Sequence, residues 1–126
     1  MLMLSLNGGP APRLSAAPAP GLWSRENLVA WCIVPFDAKK RDAAGRAGML
    51  ERLRLRHLAY DWRPEHVPYF DAEVTTMARH GIDLTAWWFP TKLDHTAKLI
   101  LGVIARHQIH PQLWVAGGAA APSDPA

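Results

Sequence analysis

The feature that most constrains this chain is a period. Four apolar runs, LVAWCIVPF, HLAYDW, LTAWWFP and QLWVAGG, recur along it. In the first three an alanine (Ala30, Ala59, Ala86) stands before an aromatic residue, and Leu113 takes the alanine's place in the fourth. The runs are therefore 29, 27 and 27 residues apart. That length holds one strand, one helix and two short loops.

The segments between the runs carry helical spacing. Ala43, Ala47, Leu50 and Leu53 recur at intervals of four and three residues, as do Val67, Phe70, Val74 and Met77, and then Leu93, Ala97, Ile100 and Ile104. Gly81 after His80 is placed to end the second helix, and Thr91 or Asp94 to cap the third. The runs themselves are short and almost continuously apolar, which suits parallel strands covered on both faces. The expected order is β-α-β-α-β-α-β, an α/β fold in which four parallel strands alternate with three helices: a half-barrel, or partial TIM barrel. This domain is expected over 26–118. A Pro/Ala-rich leader, disordered or a remnant signal segment, is expected over 1–25, and a disordered tail over 119–126.

Composition excludes several classes. The chain has 126 residues, enough for one domain, and its 49% hydrophobic and 20% charged content is that of a globular protein. The net charge of +3 is spread along the sequence, with Lys39, Lys40 and Arg41 as a contiguous basic triplet. A nucleic-acid surface would show a longer basic stripe with interleaved aromatics, so no nucleic-acid partner is expected. No run reaches the ~18–20 apolar residues that cross a bilayer, so no membrane partner is expected either. The cytoplasm is the favoured compartment. A secreted or periplasmic location follows instead if the opening MLMLSL and the Ala17-Pro18-Ala19 pattern are what remains of a signal peptide. Cys32, the single cysteine, lies inside AWCIV, which rules out an internal disulfide and reads as a small core residue.

In a parallel α/β sheet, ligands bind at the C-terminal ends of the strands. Those ends bring up Asp37, Asp61, Trp62, Arg63, His66, Trp88, Phe89 and Lys92, followed by Gly117 and Gly118. Trp62 and one of Trp87 or Trp88 would offer flat faces to a sugar ring. Asp61, Arg63 and Lys92 would supply directional hydrogen bonds or hold an anionic group. Other roles stand beside these. Asp37 and Asp61 can cap neighbouring loops, and strand alternation sends Trp87 and Trp88 to opposite faces, so that one of them is core. Trp31 and Trp114, deeper in their strands, are expected in the core. The remaining histidines (His57, His80, His95, His107, His110) show no spacing that metal chemistry requires.

The stretches AWCIVPFDAKKR, LAYDWRPEHVPYFDAEV and GIDLTAWWFP together resemble the first half of a sugar phosphate isomerase/epimerase, in the xylose isomerase-like TIM-barrel superfamily. The resemblance covers roughly residues 26–118, and DW after the second strand and WWFP in the third are its more specific strings. It implies carbohydrate chemistry, either aldose–ketose interconversion or inversion of a hydroxyl-bearing carbon, aided by a divalent metal. In that superfamily a Glu, Asp, His and Glu quartet holds the metal, mostly from later strands. No metal ligand is therefore assigned here, and no cofactor is expected on this chain alone. The expectation is a truncated or split member that acts on a sugar or sugar phosphate only with a complementary half. The alternative is a non-catalytic module, because an open parallel sheet exposes two edges and an aromatic inner face. Such a module would form a homodimer or pair with a complementary half-barrel.

Overall fold

The computed structural model describes residues 21–117. The leader up to residue 20, Gly118 and the tail lie outside the described residues. Four strands, β1 (Val29–Ala30), β2 (His57–Tyr60), β3 (Asp83–Phe89) and β4 (Gln112–Val115), form one sheet in the order β1-β2-β3-β4. All three pairings are parallel. Between the strands run α1 (Ala43–Leu53), α2 (Phe70–Arg79) and α3 (His95–His107). The chain thus has the expected α/β architecture, four parallel strands alternating with three helices as in part of a barrel.

Local chemistry sets the helix ends. Asp42 caps α1 by accepting from the Gly45 amide at 2.8 Å, and Asp94 (rather than Thr91) caps α3 through the Ala97 amide at 2.9 Å. Gly81 follows α2 at φ 62°, a left-handed conformation that glycine adopts without a Cβ penalty. The second helical stripe divides. Val67 belongs to a 3-10 segment, Pro64–Tyr69, and the α-helix begins at Phe70. Pro64 and Pro68 each lack an amide hydrogen to donate, which explains why the regular α-helix starts later than the spacing suggests.

All three helices cover the same face of the sheet, here called outer. Leu58, Tyr60, Leu84 and Trp87 from the strands join Ala47 and Leu50 of α1, Phe70, Val74 and Met77 of α2, and Ile100 and Val103 of α3 in one buried cluster. Phe70 meets Tyr60 and Trp87 edge-on, with ring centroids 5.9 Å and 5.1 Å away, a favoured aromatic geometry. An ion pair is sealed into this layer. Arg46 of α1 donates from Nε to Oε1 of Glu73 on α2 at 2.9 Å and from Nη2 to Oε2. Both residues are buried, so each charge depends on the other.

The strand register corrects the sequence repeat. Ala59 pairs with Ala86 as the repeat implies, but Ala30 pairs with Leu58 and Ala86 with Gln112. An irregularity between Leu58 and Ala59 skips Thr85 on the neighbouring strand. A one-residue slip sends a side chain to the opposite face. Ala30 therefore joins the helix-covered cluster, and the aromatic after it, Trp31, faces the other way from Tyr60 and Trp87. Trp114 pairs with Trp88 and shares its face. Trp31 and Trp114, expected in the core, instead lie on the inner face, where Trp31 is 52% exposed.

Candidate functional site

Three tryptophans form a platform on the inner face. The Trp31 ring stacks on Trp88 with centroids 6.4 Å apart and an interplanar angle of 17°, and it meets Trp114 edge-on at 6.0 Å. Three strands contribute to this cluster: Trp31 directly follows β1, Trp88 is in β3 and Trp114 in β4. Small residues make room for it, since Ala59 and Ala86 occupy the inner face of the two central strands. Strand alternation explains why Trp87 is fully buried under the helices while its neighbour Trp88 is only partly covered.

Asp61 stands at the end of β2, one residue past Tyr60, and alternation turns it to the inner face. It is 2% exposed, and neither carboxylate oxygen has a hydrogen-bond partner among the described residues. The Cys32 thiol and the Val34 amide lie beside it without making a well-formed bond, and Arg63 is the nearest cation. Burial pushes the Asp61 carboxyl above the usual carboxylate range. Burial likewise raises the Cys32 thiol, and the Asp61 charge adds to the effect, so Cys32 stays protonated and is not an activated nucleophile. Cys32 also holds φ 60°, a left-handed conformation that costs a non-glycine residue about 1–2 kcal/mol. This turn ends β1 after two residues and lays the following loop against Asp61.

The other residues picked from the sequence have local roles. Asp37 accepts from the Arg41 amide at 2.9 Å, the Lys39 amide at 3.0 Å and the Arg41 guanidinium at 2.6 Å. The Arg41 amide, with these further donors, holds the Asp37 carboxyl below its ordinary range. Arg63 donates to the carbonyls of Asp61 and Trp62 at 3.4 Å and 3.0 Å, and its guanidinium lies 5.7 Å from the centre of the Phe36 ring. His66 accepts the Arg63 amide through Nδ1 at 2.8 Å. Trp62 packs edge-on against Phe70 at 5.5 Å and donates from Nε1 to the Trp88 carbonyl at 2.7 Å, tying the end of β2 to β3. Phe89 packs against the helix-covered core, and Lys92 is exposed beyond Pro90.

Of the candidates, the structure brings Asp61 and Trp88 together on the inner face, joined by Cys32, Trp31 and Trp114, which sequence reasoning had set aside as core. The repeat did place an aromatic after Ala30. Only the register reveals which face it takes. Beside this cluster a cavity of about 260 Å³ opens between Trp62, Arg63, Trp88 and Pro90. A formed small-molecule site spans roughly 300–1,000 Å³, so this one has the size of part of a site. A wider groove of about 680 Å³ between α1 and α2 is lined by Lys40, Glu65, His66 and Tyr69 together with Arg46 and Glu73, which pair with each other.

Among the described residues, no three of His, Cys, Asp and Glu gather where they could hold a metal ion, and no helix is long and apolar enough to cross a membrane. Compared with known proteins, the chain matches no family model, no curated protein and no solved structure.

Proposed function

We propose that this chain is one half of a sugar phosphate isomerase/epimerase-type barrel, and that its part is to bind and orient a carbohydrate. A second set of strands, from another copy or a complementary half-barrel, closes over the inner face. The observation that carries this reading is Asp61, a buried carboxyl without a partner at the C-terminal strand ends, beside a platform of indole rings. Native proteins pair their buried polar groups, and an orphan on the ligand face calls for a donor from outside. A sugar offers hydroxyls to the carboxyl and the apolar face of its ring to the indoles.

Aldose–ketose interconversion moves a proton between carbons next to a carbonyl. A carboxyl that holds its proton more tightly than usual suits such acid–base work. The divalent metal that the resemblance implies does not fit the residues present. Asp37 is tied to its own loop, and beside Asp61 stand the Cys32 thiol, backbone amides and Arg63 rather than a second carboxylate or an imidazole. No step is therefore routed through a metal, and this chain alone is expected to bind without turnover. Titrating the full chain with D-glucose, D-xylose and D-fructose while following tryptophan fluorescence tests the reading. A saturable change is expected, and a flat response to all three sugars would sink it.

A second reading, a non-catalytic module that self-associates or pairs with a complementary half-barrel, draws on the sheet edges. Val29 and Trp31 at β1 and Leu113 and Val115 on β4 are all exposed, and Val115 reaches 54%. Apolar edges of this kind promote pairing with another chain. Light scattering would then give a dimer near twice 14.0 kDa. A monodisperse, folded monomer would remove this reading.

A further inference from the structure

Two polar groups on the inner face are buried and have no partner among the described residues: the Asp61 carboxyl and the Trp88 indole N–H. Tyr60, the last residue of β2, pairs with Trp87 of β3, so Asp61, just past the end of β2, comes next to Trp88 in the following register position. Alternation turns both away from the helices. A carboxylate only accepts hydrogen bonds, and an indole N–H only donates. A hydroxyl satisfies both at once, accepting from the indole and donating to the carboxyl. An anion would serve the indole but be repelled by the carboxylate. A phosphate needs a cation as well, and it would have to share Arg63, whose Nη1 already donates to the Asp61 and Trp62 carbonyls and whose guanidinium lies 5.7 Å from the centre of the Phe36 ring.

The surroundings match an uncharged ligand. Trp31 and Trp114 border the pair with flat apolar faces. The Cys32 thiol beside Asp61 is neutral and adds no charge. The turn from Cys32 to Val34 lies against Asp61, so a ligand hydroxyl has to take the place of the Cys32 thiol at the carboxyl while Val34 stays anchored in the core. Resting on the carbohydrate reading, we propose that Asp61 and the Trp88 N–H clasp one hydroxyl of an uncharged monosaccharide, so that the site takes the free sugar in preference to its phosphate ester.

Calorimetric titration of the full chain with D-glucose against glucose 6-phosphate, and D-fructose against fructose 6-phosphate, tests this. The free sugar is expected to bind at least about tenfold more tightly than its ester, the step that one well-placed polar contact supplies. Asp61→Ala should lose about tenfold or more of that affinity. Trp88→Phe keeps an aromatic ring and removes only the N–H, so it should lose several-fold. Neither substitution removes a hydrogen bond formed by the replaced side chain, and Asp61→Asn serves as a shape-preserving companion if Asp61→Ala fails to fold. If neither sugar nor ester binds, the carbohydrate reading falls and this inference with it. If the ester binds as tightly as the sugar or tighter, or the variants bind like the parent, only this inference is overturned.

Discussion

Trp87 and Trp88 are neighbours in the chain and have opposite fates. Trp87 has 0% of its surface exposed, wedged edge-on between Tyr60 and Phe70 under the helices. Trp88 lies with Trp31 and Trp114 on the face turned away from α1, α2 and α3. The difference extends to the polar groups. On the outer side Arg46 and Glu73 satisfy each other. On the inner side the Asp61 carboxyl has no partner among the described residues, while each face also leaves an indole N–H unpaired there, Trp87 on the outer side (with the Tyr60 hydroxyl) and Trp88 on the inner. The outer face holds this chain together and pairs its buried charges, whereas the inner face carries a buried carboxyl left unpaired among the described residues.

Substitutions on the two faces should therefore differ in size. Trp87→Ala empties a packed site and should cost about 3–5 kcal/mol in urea unfolding. Trp31→Ala, half-exposed on the inner face, should stay within about 1 kcal/mol of the parent. Similar losses from both would break the comparison. Glu73→Ala leaves Arg46 buried with an uncompensated charge and should also cost about 3–5 kcal/mol, while replacing both residues with apolar ones of similar volume should recover most of it.

The Asp61 carboxyl sharpens the contrast through pH. Burial raises its folded-state pKa above the unfolded value, so the folded chain holds the proton more tightly. The stability linked to that proton is fully present below the unfolded carboxylate pKa and is lost as pH rises through the raised folded value. Urea midpoints measured across that range should fall for the parent chain, and Asp61→Asn should flatten the trend. Asp37, in the loop between β1 and α1, runs the other way. Hydrogen bonds from the Arg41 amide and its neighbours lower Asp37, so its contribution is present above the unfolded pKa and fades as pH falls through the folded one. The smallest effect belongs to neither face. Asp94→Ala removes the cap of α3 and should cost about 1 kcal/mol by thermal unfolding.

The period, the three helical stripes and the order of elements were legible in the sequence because the spacings of apolar residues are set by the backbone repeats themselves. The start of α2 was less so, since two prolines turned the first part of its stripe into a 3-10 segment. The face of Trp31 was not legible. It depends on pairing Ala30 with Leu58 rather than Ala59, and a slip of one residue leaves no trace in the apolar pattern. Asp61 and Trp88 could be placed at the strand ends from spacing alone. That Asp37 and Arg63 fold back onto their own loops could not, because such short-range hydrogen bonds have no periodic signature.

Fluorine NMR on the chain with 5-fluorotryptophan at its six tryptophans tests the division between faces most directly, with resonances assigned by Trp→Phe substitution. The account predicts that D-glucose shifts the Trp31, Trp88 and Trp114 signals, which also broaden with a soluble paramagnetic agent, while Trp87 responds to neither. A Trp87 signal that broadens as much as that of Trp88, or a sugar that moves none of the three, would contradict it.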